Sequence, residues 1–69
     1  MEYTVGERIR SLREDNNLTQ SQLAQKLNTT QRKISYIECG RYEPCIGDII
    51  EICKFFKVSA DFLLGIKKD

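Results

Sequence analysis

Sixty-nine residues, 41% hydrophobic and 30% charged, describe a single small domain spanning residues 1–69, near the lower size at which one core holds without help, and exclude a disordered chain. Three cysteines with no histidine and no C-x-x-C spacing support neither a disulfide framework nor a zinc site. The opening MEYTVGERIR is charged too early for a secretory signal and no apolar run approaches a membrane span, so a cytoplasmic protein with no membrane partner is expected.

In chain order, a first helix is expected from about Thr4 to Asp15, with Val5, Ile9 and Leu12 forming its buried stripe at i, i+4 and i+7. Asn16 and Asn17 end it and lead into Leu18. The second helix has a doubled start: Thr19 caps through its hydroxyl, Gln22 three residues on completes a capping box, and Leu18 with Leu23 forms the flanking staple. Leu23, Ala24 and Leu27 share a face, and the small Ala24 lets another helix come close. Asn28, which tolerates a left-handed backbone, makes the turn, and Thr30 caps a third helix whose Ile34 and Ile37 face inward and which ends before Gly40. Both helices, at about 19–39, are too short to stand alone and must lean on other apolar surface.

With Ile34 and Ile37 inward, about 100° per residue turns Arg32, Ser35, Tyr36 and Cys39 outward, and Gln31 joins them at the N-terminal end. An amide, a guanidinium and a phenol on one face suit base edges in a DNA groove, making Gln31, Arg32, Ser35 and Tyr36 candidate base readers. Lys33 falls on the flank, where a phosphate would lie. The net charge of +1 also divides unevenly along the chain: between Leu18 and Arg41, Lys26, Arg32, Lys33 and Arg41 stand against the lone acid Glu38. Lys26, Lys33 and Arg41 are therefore candidate phosphate contacts, as is Tyr42, which with Arg41 directly follows the third helix.

GRYEPC is a loop, ended by Gly40 on one side and kept from helix by Pro44 on the other. A fourth helix, about Ile46 to Lys57, is expected to bury Ile46, Ile49, Cys53 and Phe56; its start is weakly capped, since Cys45 replaces a hydroxyl and Gly47 sits in the first turn. A fifth runs from the cap Ser59 to Leu64 and stops at Gly65, ahead of a lysine-bearing tail. Ala60, Leu63 and Leu64 are placed on its inner face. That leaves Phe62, with Phe55 and Ile66, as a second apolar surface suited to a two-fold dimer.

The run TQSQLAQKLNTTQRKISYIECGR resembles the helix-turn-helix of the lambdoid phage repressor and Cro family of transcription regulators. The likeness lies in Gln20, Leu23, Ala24, Thr30, Gln31, Ile34, Ile37, Glu38 and Gly40, and continues through Pro44 and VSADFLLG. The sequence departs from the family at Asn28, where glycine is usual, and at Arg32 and Tyr36, positions that vary across it. The resemblance implies an all-α, five-helix DNA-binding domain whose third helix enters the major groove. It further implies a phosphate contact at Gln20, an Arg13–Glu38 ion pair tying the first helix to the reading helix, and pairing through the last helix.

Together these readings point to a sequence-specific double-stranded DNA-binding regulator, a repressor acting as a homodimer on an inverted-repeat operator, with no cofactor or small-molecule substrate. With no histidine and no glycine-rich phosphate loop, and with Glu14 and Asp15 adjacent on a helix and unable to face each other across a substrate, no enzyme is implied. Two alternatives use the same residues: a protein-interaction module of the same fold, and a thiol-responsive regulator acting through Cys39 and Cys45.

Overall fold

Four hydroxyls start four helices. The side-chain oxygens of Thr4, Thr19, Thr30 and Ser59 accept the N–H groups of Glu7, Gln22, Lys33 and Phe62 at 3.0–3.2 Å. At Thr4 and Thr19 the bond is returned, since Glu7 and Gln22 each accept the cap's own N–H at 2.8 Å. Each such cap contributes about 1 kcal/mol by occupying backbone donors that have no partner within the helix. The computed structural model describes residues 4–66; the lysine-bearing tail lies outside the described residues. The helices are α1 (Val5–Asp15), α2 (Gln20–Lys26), α3 (Gln31–Glu38), α4 (Ile46–Phe56) and α5 (Ala60–Leu63), with no strand among the described residues.

All five helices end alike. A residue with positive φ follows each: Asn17 at 57°, Asn28 at 58°, Gly40 at 83°, Lys57 at 58° and Gly65 at 79°. The N–H of the next residue then returns to a carbonyl five back, as in Leu18 to Arg13 at 3.1 Å, Thr29 to Ala24 at 2.8 Å and Val58 to Cys53 at 3.1 Å. This closure satisfies terminal carbonyls and turns the chain sharply enough for helices this short to fold back on one another.

The core takes at least one side chain from every helix: Ile9, Leu23, Ala24, Ile34, Ile37, Ile52 and Leu63 are each at most 3% exposed. Each large one contributes about 1.5–3 kcal/mol on leaving water. Val5, Leu12, Leu18, Leu27, Ile49, Cys53 and Phe56 pack around them. Gly6, on α1, is buried against the end of α3. A Cβ there would run into the Ile37 carbonyl and lie 2.9 Å from that of Glu38, so the close approach of these two helices requires glycine.

Two expected faces are corrected. On α4, Ile46 is 79% exposed, and Ile52 takes the central place instead. Apolar residues occupy most positions of that helix, so its periodicity admits more than one stripe, and its first turn projects beyond the core. On α5, Leu63 is buried as expected, but Ala60 and Leu64 are exposed and Phe62 is half-buried, lining clefts beside Leu12. A helix of four residues is barely one turn, and its facing is set by the chain leaving it through Gly65 rather than by a stripe.

Candidate nucleic-acid interface

A row of side-chain hydrogen bonds runs from the core side of α1 to the outer end of α3. Arg13 donates to Glu38 twice, from Nε at 2.7 Å to Oε2 and from Nη2 at 3.1 Å to Oε1, and its Nη1 donates to the Leu18 carbonyl at 2.8 Å. The two side chains are only 11% and 4% exposed, so the ion pair that the family resemblance implies is a buried, bidentate one. The Glu38 carboxylate, through its hydrogen bonds, raises the Arg13 guanidinium's pKa above its ordinary value, which keeps the guanidinium charged. Gln20 Nε2 donates to Glu38 Oε1 at 3.0 Å, and Gln31 Nε2 donates to Gln20 Oε1 at 2.7 Å. Thus three helices fix the orientation of one exposed amide.

That amide keeps its carbonyl oxygen and one N–H free, the acceptor and donor pair that adenine's major-groove edge requires. Gln20 likewise keeps one N–H, which leaves it one donor for a phosphate. Sequence reasoning placed Gln20 only through family likeness and missed its bonds to Glu38 and Gln31. Their only sequence trace is that a glutamine opens both helices.

Of the other expected readers, Arg32 and Tyr36 are exposed on α3 and Ser35 is half-buried. The Arg41 guanidinium lies 5.8 Å from the centre of the Tyr36 ring, and the exposed Cys39 thiol donates to the Tyr36 carbonyl. Lys26 is exposed at the end of α2. Lys33, expected on the flank of α3, is half-buried. Its ammonium donates to Asp48 Oδ1 of α4 at 2.9 Å and lies 5.3 Å from the centre of the Tyr42 ring. Burial pushes the Asp48 carboxyl up, but hydrogen bonds from Lys33 and Cys45 outweigh it and hold the group below its usual range. The same pairing raises the pKa of Lys33.

Away from this face, Phe55 and Ile66 are 36% and 74% exposed, and Phe55 meets Phe56 edge-on with ring centres 5.0 Å apart. Among the described residues no group of three or more histidine, cysteine or acidic side chains could hold a metal, and Cys39, Cys45 and Cys53 are free thiols.

The family described as Helix-turn-helix domain matches residues 6–65, and the chain belongs to it. Within that family its similarity extends to phage repressors and other transcription regulators. It is 32% identical to the immunity repressor protein of Bacillus phage phi105 over 62 residues, which is 90% of this chain and 43% of that one. To the transcriptional activator BcrR of Enterococcus faecalis it is 41% identical over 59 residues, 86% of this chain and 29% of that one. The chain thus spans less than half the length of both relatives. Among solved structures, the P22 c2 repressor in complex with a synthetic operator superposes with a TM-score of 0.84 at 28% identity, covering 91% of this chain and 96% of that one.

Proposed function

We propose that this chain is a sequence-specific double-stranded DNA-binding transcription regulator, a repressor that lays α3 in the major groove and works in the cytoplasm. Residues 1–69 act as one DNA-binding unit. The observation that carries the reading is the hydrogen-bonded row from Arg13 through Glu38 and Gln20 to Gln31, which holds one amide in the posture adenine recognition needs. An ordinary solvated helix face has no use for an outward glutamine anchored through three helices. The likeness to a repressor solved on its operator and to a phage immunity repressor favours repression.

In this reading Gln31, Arg32, Ser35 and Tyr36 meet base edges, while Gln20, Lys26, Arg41 and Tyr42 meet phosphates. Two copies pair through Phe55, Phe62 and Ile66 and bind an inverted repeat. Selection of bound duplexes from a random pool tests the reading, followed by titration of the selected site against salt. An enriched inverted repeat whose affinity falls steeply with salt is expected. Failure to enrich any site would favour a protein-interaction module of the same fold. Within that experiment, Arg32→Ala should relax discrimination at one base position at a cost of about 1–3 kcal/mol. Uniform weakening on all sequences would instead make Arg32 a phosphate contact.

A further inference from the structure

The sequence marks Lys33 as a cation on the flank of the reading helix, but the folded chain has already given that charge a partner. Lys33 Nζ is 2.9 Å from Asp48 Oδ1, and the two side chains are 31% and 20% exposed, so the pair is partly buried. The other Asp48 oxygen accepts the Cys45 N–H at 3.1 Å, so the carboxylate anchors the start of α4 as well. Tyr42 closes the third side through its ring face. The pair is the ion pair that joins α3 to α4 among the described residues.

Apolar packing between these helices is incomplete beside the pair. A half-open cleft of about 50 Å³ lies there, between Lys33, Ile34 and Ile37 of α3, Asp48 and Ile52 of α4, and Leu27 at the end of α2. Where packing leaves play, a directional, part-buried charge pair decides the angle between two helices. The Gly40–Pro44 loop hangs from the same place: Arg41 and Tyr42 donate their N–H groups to the Tyr36 carbonyl at 2.8 and 3.2 Å, and Tyr42 is the residue under the ammonium.

We propose that Lys33 and Asp48, with Tyr42, form a clasp that sets the tilt of α3 and the course of the loop after it. Lys33 is then a positioning residue for DNA reading, and it neutralises no phosphate. The depressed Asp48 pKa and raised Lys33 pKa agree with a pair that stays closed at neutral pH. The inference rests on the DNA-binding reading for its consequence, though the clasp itself exists in the free protein.

The test compares Lys33→Met, Asp48→Asn, the double variant, and the exchanged pair Lys33→Asp with Asp48→Lys. Asparagine keeps an oxygen for the Cys45 N–H, so the start of α4 is spared. Each single change should weaken binding to every sequence by about two- to five-fold, and the double variant should bind no worse than either single one. The salt slope should not move, and the exchanged pair should recover most of the loss. In the free protein, both single variants should speed hydrogen exchange at the Arg41 and Tyr42 amides. A Lys33→Met variant that lowers the salt slope by about one, with Asp48→Asn leaving affinity intact or raised, would overturn the clasp in favour of a phosphate contact. Additive single effects would overturn it too. Should the unaltered chain select no DNA, the functional reading fails, and unchanged amide exchange in both variants would then sink the clasp on its own.

Discussion

Removing the carboxylate of Glu38 leaves three donors, two from Arg13 and one from Gln20, without a partner in a place water hardly reaches. A buried pair of this kind adds little over an apolar substitute, but breaking one side strands a charge, at about 3–5 kcal/mol. Glu38→Ala should therefore remove a large part of the roughly 5–15 kcal/mol that a domain has available, as read by denaturant unfolding. A loss under about 1 kcal/mol would mean that Arg13 finds other partners. Asp48 gives the molecule a pH dependence of definite sign. Its carboxyl titrates lower folded than unfolded, so its contribution is complete above the unfolded value near about 4 and is lost as pH falls through the folded value. Asp48→Asn should flatten the acid limb of the stability curve below about pH 4 and leave the curve's shape at neutral pH unchanged. An unaltered acid limb would contradict the pairing.

At the scale of elements, α4 is the one helix whose left-handed closing residue is neither asparagine nor glycine. Lys57 sits at φ 58°, where a Cβ costs about 1 kcal/mol or more and glycine costs nothing steric. Lys57→Gly should raise stability by about 0.5–1 kcal/mol, a shift of several degrees in Tm for a domain this small, after allowing for the extra freedom of glycine in the unfolded chain. A lower Tm would show that the lysine contributes more at the helix end than its backbone loses. The same element shows what could be read in advance. Helix starts were legible because a hydroxyl three residues before its target is a local chemical mark, as at Thr19, Thr30 and Ser59; the same mark stands at Thr4, although the helix is expected to begin on that residue rather than after it. Ends were legible where Asn28, Gly40 and Gly65 announce a left-handed turn, and illegible at Lys57, which announces nothing. On α4 the packing of Ile49, Cys53 and Phe56 was legible, but the exposure of Ile46 and the burial of Ile52 escaped because isoleucine and phenylalanine crowd all sides of the helix. Hydrogen bonds between Gln20 and Gln31, and between Lys33 and Asp48, join residues 11 and 15 apart in sequence. Such contacts follow from how helices come together, which no local pattern encodes.

As a whole the described chain measures 28 × 23 × 23 Å between its Cα extremes. Helix-turn-helix repressors engage half-sites about one DNA turn, roughly 34 Å, apart, a spacing taken over from that class of protein. One copy is too short to reach both, so an inverted repeat demands two. Changing Ile66, 74% exposed, to aspartate should yield a folded monomer by sedimentation, with operator affinity reduced and footprints shrinking to one half-site. An unaltered protein that stays monomeric at every accessible concentration would contradict the paired arrangement.

The exposed face of α3 divides its labour unevenly. Gln31 is bound into the scaffold, whereas Arg32 makes no hydrogen bond or ion pair among the described residues, and an exchange at such a site shifts stability by no more than about 0.5 kcal/mol. A copy of this gene could therefore change its target by drift at position 32 without passing through an unfolded ancestor. In the proposed reading two descendants could coexist in one cell, each blind to the other's operator, while inheriting the same anchored amide and the same core.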